Sequence, residues 1–142
     1  METLPWLNYD GQTTEGLLAC GETHRVDSVV LAFEEAIARK DEADLTPEER
    51  IVLAVEALER EVNHGGYDYF FDTAEEFSPI IVNALKAIGA STAAALTAEA
   101  IHAARTNPAL LESCDSRYDD EVGDLSEDLF AFIRANANQI RI

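Results

Sequence analysis

Positive charge is what this chain has least of. Two lysines, Lys40 and Lys86, and eight arginines stand against 28 acidic residues, giving a formal net charge of -18. A surface of that sign repels nucleic acid and anionic membrane, which excludes direct binding of either. It leaves basic proteins or divalent cations as natural partners. Cysteine is nearly as scarce. Cys20 and Cys114 are far apart and in no Cys-x-x-Cys arrangement, so a disulfide framework is excluded and two free thiols in a cytoplasmic protein are the simpler reading. No apolar run approaches the ~20 residues of a membrane span. The mixed start from Met1 to Trp6 lacks the basic and then apolar regions of a secretion signal. Two-residue alternation of apolar and polar positions, the mark of a half-buried strand, is also missing.

Catalytic patterns are equally thin. His24, His64 and His102 are scattered; none belongs to a His-Glu-x-x-His pair, and no nucleophile elbow, phosphate loop or dinucleotide fingerprint is present. The acidic stretch from Asp115 to Asp128 fails the calcium-loop pattern, because counting from Asp115 puts Arg117 at position 3 and Asp120 where glycine is required. No enzyme activity, cofactor or metal is expected.

What the chain does have is apolar content: 47% of its 142 residues are hydrophobic, too many for a disordered acidic chain. The pattern predicts an all-α fold, a compact single-domain bundle of about six helices. Trp6, Leu7 and Tyr9 are expected to dock an N-terminal arm, residues 1–13, on the body. A short helix follows at Thr14 to Cys20. Val26, Val29, Val30, Phe33 and Ile37 repeat at helical spacing, with Thr23 or Asp27 as cap. Thr46-Pro47-Glu48-Glu49 reads as a capping box with proline at the first helical position. The long helix it opens carries Ile51, Val55, Leu58 and Val62 as its stripe. Ser78-Pro79 caps a helix that Gly89 stops, Ser91 or Thr92 opens an alanine-rich one, and Asp124-Leu125-Ser126-Glu127 caps the last.

The organising stretch is Glu61 to Phe71. Gly65 and Gly66 are placed to end the long helix through a left-handed residue, because glycine reaches positive φ without a Cβ clash. Tyr67, Phe70 and Phe71 then share one face of a short helix. Glu61, beside the stripe and close to the turn, is expected to accept hydrogen bonds from exposed backbone N–H groups. Glu-Val-x-x-Gly-Gly-aromatic-x-x-Phe-Phe, followed by Ala84-Leu85 and Ile88-Gly89-Ala90, resembles the bacterial DNA-mimic-protein family, a domain of otherwise unknown function. That family's motif usually reads Asn-Gly-Gly-Phe-x-Gln-Phe-Phe; here His64 replaces Asn and Tyr69 replaces Gln. The resemblance covers Leu45 to Ala104. It implies a helical fold and, for one branch, an acidic surface that occupies the DNA-binding face of a transcription regulator.

Three functions remain open at this point. A DNA mimic would display Asp115, Asp119, Asp120, Glu121, Asp124, Glu127 and Asp128, with Glu34, Glu35, Glu48 and Glu49, as a phosphate-like face toward a basic or DNA-binding protein. An acid-rich surface serving solubility would need no partner. A small-ligand binder would use a pocket at the glycine turn lined by Glu61, His64, Tyr67 and Tyr69. Oligomeric state, a homodimer included, is left open. Charge does not decide, since the first 66 residues carry 15 acids and five bases and the rest carry 13 and five.

Overall fold

The structure, a computed structural model, describes residues 3–142; Met1 and Glu2, part of the mixed N-terminal stretch, lie outside them. The described residues form seven α-helices and no strand: α1 Thr14–Ala19, α2 Val26–Ala38, α3 Pro47–Thr73, α4 Ile81–Ala87, α5 Ser91–Thr106, α6 Leu111–Arg117 and α7 Ser126–Ala135. None of these helices is long and apolar enough to cross a membrane. Chain contacts define two compact units. One holds the residues up to Leu53 together with Ser126–Ile142, and the other is Ala54–Leu125.

In the first unit, α2 packs against α1 and α7. Val29, Val30, Phe33, Ile37, Leu129 and Ile133 are all fully buried there. The cap of α2 is neither Thr23 nor Asp27. Arg25 takes that position without a side-chain capping bond, and Asp27 instead accepts from the Ser28 N–H at 2.9 Å and pairs with the Arg25 guanidinium. The N-terminal arm buries Leu7, whose N–H donates to Ser28 Oγ at 2.9 Å, and the Pro5 carbonyl accepts from the Arg25 N–H at 2.9 Å. Trp6 stays exposed beneath the Arg25 guanidinium, and Tyr9 lies under Arg39. Both rings are held by cation–π contact rather than by burial. The C-terminal tail is fastened more firmly than its sequence suggests. Thr14 donates to the Ile140 carbonyl at 2.7 Å, Lys40 to the Arg141 carbonyl at 3.0 Å, and Arg141 pairs with Glu15.

The capping box at the start of α3 is complete. The Glu49 N–H donates to Thr46 Oγ1 at 3.1 Å, while Glu49 Oε1 accepts from the Thr46 N–H at 2.9 Å. Two orphan donors are thus satisfied reciprocally by residues three apart.

In the second unit, α5 packs on α4 and α6. Its stripe of Ala93, Ala94, Leu96, Thr97, Ala100 and Ala103 is buried, and the small side chains allow close approach of the neighbouring helices. α4 begins at Ile81, two residues after Pro79, and Ser78 belongs to the turn before it. Gly89 ends α4 at φ 83°. α6 had no counterpart in the sequence reading. Its acidic, weakly periodic stretch runs on into a π-helical turn, Tyr118–Val122, closed by Gly123 at φ 66°.

Candidate functional site

α3 breaks at the two glycines, and they do different jobs. Gly65 sits at φ -148° and ψ 17°, non-helical but at negative φ; Gly66 sits at φ 80° and ψ -177°, where side chains are strained. The left-handed position is therefore Gly66 alone. After it the helix restarts at Tyr67, and Gly66 has no side chain to cap the restart. Asp115 of α6 fills the role from 48 positions away, its Oδ1 accepting from the Tyr67 N–H at 2.8 Å. The fit is close. A Cβ at Gly66 would overlap the Asp115 carboxylate, with its carbon at 2.8 Å.

Glu61 does not bond backbone N–H groups as expected. It pairs with Arg60 and accepts from Thr73 Oγ1 at 3.1 Å, so it ties the two sides of the break through side chains. The carboxylate that serves the backbone is Asp115, whose contact across the chain no local pattern announces.

Of the three rings, Tyr67 and Phe70 are wholly buried and Phe71 half-buried. Tyr67 stacks on Phe71 and meets Tyr118 edge to face at 5.8 Å. Its hydroxyl shares a hydrogen bond with Thr97 at 2.9 Å, and burial pushes its pKa well above the usual phenol value. Tyr67 thus belongs to the core rather than to an open cavity. His64 and Tyr69 are exposed and face each other at 4.9 Å.

Directly after α6, the π-helical turn places Asp119, Asp120 and Glu121 outward, and Asp124 follows; all four are exposed. Arg117 is clamped between Glu99 at 2.7 Å and Glu121 at 2.9 Å. Beneath the turn lies Glu59, a residue the sequence reading passed over. The Tyr118 hydroxyl donates to one of its oxygens and the Leu125 N–H to the other at 3.4 Å. Burial raises the Glu59 pKa above the usual carboxylate value, against the lowering effect of both hydrogen bonds, and the charge of Asp124 adds to the rise. Tyr118 is buried and its phenol pushed far up, first by desolvation and then by Glu59 itself.

The remaining acids of the expected face divide. Glu35, Glu127 and Asp128 are exposed. Glu34 is buried at 8% exposure, and Glu49 at 0% is consumed by the capping box and by Lys40 at 2.7 Å, so neither is available at a surface. Glu48 is half-buried, with one carboxylate oxygen enclosed and without a hydrogen-bond partner. Asp115 is half-buried and turned to the Tyr67 N–H. Among the described residues no group of three or more His, Cys, Asp or Glu side chains is placed to hold a metal ion. Cys20 and Cys114 are free thiols.

An all-helical protein whose Ala54–Leu125 unit carries 14 acids against four bases, with two of those bases already ion-paired, defines an acidic helical class. The match that makes this specific spans residues 43–136, and on it the chain belongs to the DMP19-like protein family. It reaches from the turn before α3 to the end of α7, well past the stretch on which the motif resemblance rested. No curated protein and no solved structure matches the chain.

Proposed function

We propose that this protein acts as a DNA mimic in the cytoplasm, occupying the basic, DNA-binding face of a protein such as a transcription regulator. The observation that carries the reading is the acidic segment Asp119–Asp124: four exposed carboxylates on an ordered turn and its exit, not on a frayed tail. Membership of the DNA-mimic family supports it. Carboxylates fixed on a folded surface stand in for phosphates, and the same long-range attraction that draws a basic face to DNA draws it to them. Asp119, Asp120 and Asp124 supply that charge with Glu121, whose own charge is partly matched by Arg117. Glu35, Glu127 and Asp128 are further exposed acids, while Glu34, Glu49 and Asp115 act within the fold.

The test is competition. DNA-binding proteins retained on the immobilised chain from the source cytosol are eluted, loaded with labelled DNA and titrated with free protein. Mimicry predicts that DNA is displaced, and that displacement weakens as salt shortens the Debye length, roughly 8 Å at physiological ionic strength. If no retained protein releases its DNA, the acids serve solubility and the mimic reading is wrong.

A further inference from the structure

We infer that Glu59 is the positioning residue of the acidic segment: from α3, its carboxylate holds both ends of the stretch and fixes the spacing of the charges displayed between them. The inference rests on the reading of that segment as an interaction surface.

The anchors are the residues immediately before and after the displayed acids. Tyr118, 1% exposed, gives its hydroxyl to one Glu59 oxygen, and Leu125, 4% exposed, gives its N–H to the other. Between them Asp119, Asp120, Glu121, Gly123 and Asp124 are exposed and Val122 is half-buried. The segment therefore has little apolar contact of its own, while its like charges push apart. A π-helical turn is a rare conformation that needs such outside support. Burying a carboxylate is costly, and packing alone would be served by an apolar residue of similar size. What a carboxylate adds is two acceptor oxygens on one rigid group, one for each end. Fixed spacing matters because an array of charges already in place binds without the ordering cost of a loose one.

Two substitutions divide the clamp. Glu59→Gln keeps an acceptor for Tyr118 but turns an amide N–H toward the Leu125 N–H; Tyr118→Phe releases the other end and leaves Leu125 bonded. On the full chain, both variants should speed amide exchange across residues 119–125 by about tenfold or more, with α5 amides unchanged. Both should bind an octa-arginine peptide about threefold more weakly at low salt. Unchanged exchange in the segment, or equal acceleration in α5, would overturn the inference, the second because it marks a general loss of stability. A variant with Asp119, Asp120 and Asp124 changed to Asn and Glu121 to Gln is run alongside. If it binds the peptide as tightly as the parent, the interaction-surface reading fails, whatever the exchange data say of Glu59.

Discussion

Two helix starts on α3 solve the same problem by different means. At Thr46 the orphan N–H groups are met by residues three positions apart, whereas at Tyr67 the acceptor is Asp115, 48 positions downstream. The first start assembles as the chain forms its first turn. The second exists only when α6 has docked, so the break in α3 and the placement of α6 stabilise each other. The acidic stretch that follows α6 is thereby tied to the core rather than left as a tail.

The most damaging way to break this comparison is Gly66→Val. It combines a β-branched side chain at φ 80° with overlap of the Asp115 carboxylate, and should cost about 3 kcal/mol or more in denaturant unfolding. Gly65→Val lacks the φ penalty but meets Tyr69 Cβ at 2.7 Å, and should cost less. A reversed order would show that the left-handed residue is not what the turn depends on.

Removing the caps compares the two starts directly. Asp115→Ala leaves the buried Tyr67 N–H without its acceptor and should cost about 1–2 kcal/mol; Thr46→Ala, with solvent closer at hand, about 1 kcal/mol. The sharper distinction is spatial. Asp115→Ala should accelerate amide exchange in α6 as well as at Tyr67, while Thr46→Ala should act on the first turn of α3 and, through the lost bond to the Gln139 carbonyl at 2.7 Å, on the C-terminal tail, leaving α6 unchanged.

Glu59 gives a pH test. Its folded pKa is raised above the ordinary 4.5, chiefly by burial, so its contribution to stability is fully present below that value and is lost as pH rises through the raised one. Glu59→Gln removes this titration. The melting midpoint of the parent relative to the variant should therefore fall as pH rises from the ordinary carboxylate value through the raised one, and a difference flat with pH would remove the burial argument. The smallest effect is expected at His64. Its side chain is exposed and in ring contact with Tyr69, and replacement by Ala should shift stability by no more than about 0.5 kcal/mol and leave partner affinity largely intact. Lost binding would show that the exposed His64–Tyr69 pair is part of the interface.

The contrast between the two starts also explains what the sequence could disclose. The capping box, the glycine break and the buried stripe of α2 rest on short spacings, and they are legible because helix geometry turns such spacings into contacts. Asp115, Glu59 and the C-terminal tail work across 48, 66 and 126 positions, and nothing local marks them. α6 was missed because its acids dilute the apolar period; only Leu111, Cys114 and Tyr118 turn inward. Glu34 and Glu49 show the opposite error. Read by type, each is a surface charge; placed in the structure, each is buried. Among the acids, then, composition gives the sum, and only the fold separates those that build from those that are displayed.

That separation is tested by one crossed measurement: melting midpoint and DNA displacement, each recorded for Asp115→Ala and for the variant with Asp119, Asp120 and Asp124 changed to Asn and Glu121 to Gln. The fourfold variant should melt no lower than the parent, since relief of self-repulsion offsets the exposed Glu121–Arg117 pair, worth about 0–1 kcal/mol, and it should lose most of its ability to displace DNA. Asp115→Ala should melt lower yet displace DNA below its midpoint. If the fourfold variant displaces DNA as well as the parent, the displayed acids are not the mimic, and the central claim is wrong.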